Sequence, residues 1–136
     1  MPVDISWYLE GRIIYVKYYG DVTIEDKQLG AEHEYEFLNA GTVPLVHVLL
    51  DITDQTSSPT NIQAVQKALD KALKHPKKGW TLAYGKEEFR MENFINSVVT
   101  QSSAARYRTF VTLPETLEFL VYVDPSLSDV VDIEVD

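Results

Sequence analysis

Val46-His47-Val48-Leu49-Leu50 is a short, nearly unbroken apolar run between two segments of helical spacing. A run of this kind has to be covered on both faces, which suits a central strand with helices packed against its sheet. Similar runs recur at Trp80-Thr81-Leu82-Ala83-Tyr84 and Tyr107-Arg108-Thr109-Phe110-Val111. Near the start, residues 5–9 and 13–19 alternate apolar and polar side chains around Glu10-Gly11-Arg12, the pattern of a β-hairpin.

Helical segments lie between the strands. Thr23 can cap the first, with Asp26 three residues on. Its expected inner stripe is Ile24, Leu29, Tyr35 and Leu38, and Gly41 suits a left-handed stop. Asp51 is read as the end of the central strand, followed by a polar loop over 53–59. Either Thr60 or Asn61 caps the second helix, which turns Ile62, Val65, Leu69, Ala72 and Leu73 inward. A third helix spans about 86–103 and carries Phe94, Ile95, Val98 and Val99. Thr112, with Pro114 in the first turn and Glu115 three residues on, opens a fourth that buries Leu117, Leu120 and Val121.

The order β-β-α-β-α-β-α-β-α implies an α/β fold. Its sheet is mixed and mostly parallel, with an N-terminal β-hairpin and about four helices. At 136 residues this is one domain, taken as 1–124, followed by an acidic tail over 125–136. In the tail Val131, Ile133 and Val135 alternate with acids, a strand pattern able to pair with an exposed sheet edge. Tail and hairpin together make a homodimer an expectation.

The formal net charge of −9 sets the chain against phosphate backbones, so nucleic acid is not an expected partner. No apolar run reaches the ~20 residues of a membrane span, so no membrane insertion is expected. The absence of cysteine excludes disulfides, thiolate metal sites and a cysteine nucleophile. With no signal-peptide pattern at its start, the chain is expected in the cytoplasm.

Catalytic signals are sparse. Neither a nucleophile elbow nor a P-loop nor a dinucleotide fingerprint occurs. His33, His47 and His75 lack metal-ligand spacing, and His47, inside a strand, reads as a buried structural histidine. Asp51 and Asp54 are the best-placed carboxylates, but two acids in a turn are common, so no metal and no cofactor are assigned. No enzymatic activity is expected. Lys67, Lys71 and Lys74 share one face of the second helix, either as a solvated face or as a patch for an acidic partner.

The element order and the segment Val48-Leu49-Leu50-Asp51-Ile52-Thr53, followed by a hydroxyl-rich loop and a helix, resemble the STAS domains of bacterial anti-sigma-factor antagonists. The likeness is to the broader SpoIIAA-like group and covers about residues 5–123. It implies a regulatory module that docks protein partners through the loop and second helix and is switched by phosphorylation at the helix start. Here Ser58-Pro59-Thr60-Asn61-Ile62 stands at that place. The family motif's Asp and Gly are absent, and Thr60 falls about where the phosphorylated serine lies.

Two functions follow as expectations. One is a non-enzymatic docking module using Asp51, Asp54, Ser57, Ser58, Thr60 and Asn61. The other is a carrier or sensor of a small apolar, lipid-like ligand between the sheet and the third helix, with Phe94, Ile95, Val98 and Val99 as its wall or as a dimer face.

Overall fold

The computed structural model describes residues 3–85, 90–102 and 105–133, with the backbone alone at 90–93, 96 and 102. Its elements are β1 (Val3–Leu9), β2 (Ile13–Asp21), α1 (Ile24–Asn39), β3 (Val46–Ser57), α2 (Ile62–Leu73), β4 (Lys78–Tyr84), α3 (Arg90–Ser102), β5 (Arg106–Phe110) and α4 (Leu113–Val123). A short 3-10 turn, Pro125–Leu127, follows. The sheet runs β1-β2-β3-β4-β5, with β1 antiparallel to β2 and the other pairs parallel.

Spatial order therefore equals chain order. Right-handed crossovers that always step the same way put their helices on the same face. Accordingly α1 packs beside α2 and α2 beside α3, while α4, after the last strand, lies on the other face. The central strand serves both layers. Val46, Val48, Leu50 and Ile52 enter the core under α1, and Leu49 joins Ile13, Leu82, Leu117 and Leu120 beneath α4. No helix among the described residues is long and apolar enough to cross a membrane.

Several local expectations are corrected. The central strand does not end at Asp51 but continues to Ser57. β2 is long enough to partner the polar stretch, with Tyr19, Gly20 and Asp21 paired to Asp54, Gln55 and Ser57. Ladder hydrogen bonds thus override a composition that reads as loop. In α1 the buried residues are Lys27, Gly30, Ala31 and Leu38, so only Leu38 of the expected stripe is fully covered. The cause is Tyr18, which stands upright beneath the helix. A Cβ on Gly30 would lie 2.5 Å from its hydroxyl, and the Lys27 ammonium sits 4.6 Å from its ring centre. Gly41 is not a left-handed stop, since α1 ends on Ala40 in right-handed conformation. Gly41 is needed small, because a Cβ there would meet Val46 at 2.4 Å. The tail forms no strand through residue 133. Leu127 is fully buried under α4, and Val131 and Ile133 pack beside it.

A β-bulge shapes the base of the sheet. Val46 pairs with Lys78 and Val48 with Thr81, so two residues of β4, Gly79 and Trp80, face the single residue His47. The His47 ring takes up the slack, its Nδ1 accepting the Trp80 N–H at 3.0 Å. That fixes the proton on Nε2, which donates to Asp124 at the end of α4 at 2.9 Å. Burial lowers the His47 pKa, against the opposing pull of Asp124. Burial and Lys77 lower that of His75 too. His75 also uses Nδ1 as an acceptor, for the Lys77 N–H, and its Nε2 meets Asn39 at the end of α1. Both rings are therefore held neutral, while in the unfolded chain they gain protons below about pH 6.5. Their contribution is complete above that pH and is lost as pH falls from there toward the lowered folded values. Urea midpoints are expected to be level near neutrality and to fall from about pH 6.5 downward. A level profile from there to pH 5 contradicts this assignment.

Candidate functional site

One helix cannot roof five strands. α4, like any α-helix, is only about 10–12 Å across, against a sheet about 19 Å wide. Toward the carboxyl ends of the parallel strands its face is left open as a concave site of about 460 Å3, lined by Ser6, Trp7, Tyr8, Tyr15, Asp51, Tyr84 and Leu113.

Asp51 lies in its wall and is only 7 % exposed. Its carboxylate accepts the Tyr15 hydroxyl at 2.5 Å and the Thr53 backbone N–H at 2.9 Å. Burial pushes its pKa up, but the bonds from Thr53 and Tyr15 and the Lys17 charge outweigh it, so the net shift is downward and the group is ionised. Tyr15 is shifted strongly upward by burial and then by Asp51, as is Tyr84, so both phenols stay neutral. The site presents a fixed carboxylate and neutral hydroxyls in an aromatic setting.

In a regular strand, residues three apart point to opposite faces. Asp51 pairs with Lys17 and Asp54 with Tyr19, so β3 carries an extra residue at this point. The bulge returns Asp54 to the face of Asp51, where it forms an ion pair with Lys17 at 2.8 Å. Beyond it, the Ser57 hydroxyl donates to Asp21. Gly85, with φ of +137°, turns the chain out of β4 where a Cβ would lie 2.6 Å from the Thr53 nitrogen. Among the described residues, no group of three or more His, Asp or Glu is placed to hold a metal ion.

The true connection between β3 and α2 is only 58–61. Within it Ser58 is half-buried, while Thr60 and Asn61 are exposed. Asn61 is the cap of α2, its side chain accepting the Ala64 N–H at 3.0 Å. Asn61→Ala is therefore expected to cost about 1 kcal/mol and Thr60→Ala almost nothing, as read by urea denaturation. The reverse order contradicts the capping assignment. On α2, Lys71 lies 4.4 Å from the Tyr35 ring centre and Lys74 pairs with Asp70, and all three lysines are exposed.

Phe94, Ile95, Val98 and Val99 do not form one surface. Ile95 and Val99 are buried with Val65 and Leu73, while Phe94 is 58 % exposed and Val98 also faces outward. Between the sheet and the three-helix layer lies a cavity of about 40 Å3, far below the roughly 300 Å3 at which pockets for drug-sized ligands begin.

Sequence reasoning singled out Asp51 and Asp54 but not Tyr15, Tyr84 or Lys17 as their companions. The available signal was parity. Tyr84 ends its strand run, and Tyr15 and Lys17 share one side of theirs. What was hidden was the register that sets these residues beside Asp51.

No family model matches the sequence, and no curated protein matches it. Among solved structures, a match is the crystal structure of an uncharacterised protein of the DUF3478 family with a SpoIIAA-like fold, from Shewanella loihica. The two are 19 % identical, the alignment covers 87 % of this chain and 91 % of that one, and the TM-score is 0.59. The chain thus has a SpoIIAA-like fold.

Proposed function

We propose that the chain is a non-enzymatic regulatory docking module of the cytoplasm that binds a protein partner through the rim from Asp51 to Asn61 and the outer face of α2. The observation that carries this reading is the division of labour at the start of α2. Asn61 holds the helix end, so the exposed Thr60 beside it is left available for contact. Asp54 and Thr56 extend the exposed rim along β3. A lack of catalysis fits the chemistry of the open site. Its carboxylate is locked by hydrogen bonds, and both phenols are held far from ionisation at neutral pH. The fold supports the reading by analogy only.

Thr60→Glu places a charge on the rim without touching the core. Affinity purification followed by quantitative mass spectrometry is expected to recover a partner with the wild-type chain and about tenfold less with Thr60→Glu, a loss of about 1.4 kcal/mol. Tyr122→Ala, on exposed α4, serves as the control and is expected to retain the partner. Equal recovery by wild type and Thr60→Glu removes the rim from the reading. A second copy of the chain is one such partner, and light scattering that detects only monomer removes the homodimer.

A further inference from the structure

The open site on the α4 face draws side chains from four neighbouring strands. Ser6 of β1 stands opposite Tyr15 of β2, and Asp51 of β3 stands between Lys17 of β2 and Tyr84 of β4. Among its aromatic residues, Trp7 turns its ring to Phe37 of α1, 5.1 Å between centres, on the opposite face of the sheet. Tyr8, Tyr15 and Tyr84 all pack in the cluster under α4 and form the aromatic walls, with Leu113 as an apolar neighbour.

The charge of the site is negative. Lys17 faces three carboxylates, those of Asp4, Asp51 and Asp54, and is bound to the last at 2.8 Å. Among the described residues, these groups leave negative charge in surplus beside the aromatic walls. The Asp51 oxygens are already engaged, one by the Tyr15 hydroxyl and the other by the Thr53 N–H. A primary ammonium brings three donors, each of which needs a new acceptor once it leaves water. A quaternary ammonium brings none, and it is held by a negative field and aromatic surface alone.

We propose that this site binds a quaternary ammonium head such as that of choline, set among Tyr8, Tyr15 and Tyr84 in the field of Asp51, with the rest of the ligand leading out to solvent. The volume agrees, since about 460 Å3 lies within the roughly 300–1,000 Å3 of small-molecule sites. Anions are excluded by the sign of the charge. A free quaternary amine and a trimethylated lysine of another protein share this head. The inference goes beyond docking at the rim. It shares Asp51 with that surface but not Thr60, so a titration with a small cation succeeds or fails whatever Thr60→Glu does.

The test is a titration of the full chain with choline chloride, followed by amide NMR, with sodium chloride and methylammonium chloride at matched ionic strength and pH as references. Choline is expected to shift the amides of Tyr15, Asp51 and Tyr84 to saturation, methylammonium to bind about tenfold more weakly, and sodium chloride to leave them in place. Asp51→Asn, which keeps the shape and removes the charge, is expected to weaken choline by about tenfold. Should that variant fail to fold, Tyr8→Leu decides. Tyr8 is half-buried, and its loss is expected to weaken choline by about fivefold. Variants that bind choline as tightly as the wild type overturn the proposal, as do shifts that sodium chloride reproduces. Methylammonium bound as tightly as choline overturns the quaternary head. A trimethyllysine peptide forms the second arm. Binding about tenfold tighter than choline assigns the head to a protein side chain, and binding no tighter assigns it to a free small molecule.

Discussion

Gly79→Ala is expected to destabilise the protein by about 3 kcal/mol, although it adds only a methyl group. The added Cβ would stand 2.5 Å from His47 Nδ1 and 3.0 Å from the Val46 carbonyl oxygen. Neither neighbour yields cheaply. The carbonyl belongs to the central strand, and the ring is held between the Trp80 N–H and Asp124. Driving the ring away breaks both bonds and leaves polar groups short of partners in a largely buried setting. A double-mutant cycle checks the cause. His47→Ala is itself expected to cost about 2–4 kcal/mol, and the pair is expected to cost clearly less than the sum, because the alanine at 79 then has room. Additive costs in urea denaturation would mean that the ring is not what the methyl group strikes.

The second large effect is expected at Glu34. Removing it as Glu34→Ala leaves the Lys78 ammonium, at 3 % side-chain exposure, without its 2.7 Å partner. Breaking a buried pair from one side costs about 3–5 kcal/mol, whereas replacing both members by apolar residues is often neutral. The double variant Glu34→Leu with Lys78→Met is therefore expected to regain most of the loss. A cost below about 1 kcal/mol for Glu34→Ala would show that Lys78 reaches solvent by its flexible stem.

Both predictions rest on features absent from any local pattern. The apolar run over 46–50 announced a central strand because its periodicity reflects burial on both faces. The caps at Thr23 and Thr112 were legible for a similar reason, since a cap is a contact between residues three apart. The extension of β3 to Ser57 was not legible. It depends on how far β2 runs alongside it, and a polar stretch gives no sign of its partner. The Tyr15, Asp51 and Tyr84 cluster joins three strands, so only the register brings it together. Lys27 reads as a surface lysine of α1 and is buried because Tyr18 receives it.

The last part of the chain returns to the first. Leu127 packs in the cluster of Ile13 and Leu49, Ser126 meets Arg12 at 2.6 Å, and Asp124 holds His47. During synthesis the three-helix side can be assembled step by step as each crossover emerges, while the opposite side stays wet until residues 113–127 have left the ribosome. A nascent chain stalled short of that point exposes a ready-made apolar surface, which gives a chaperone a defined interval in which to act.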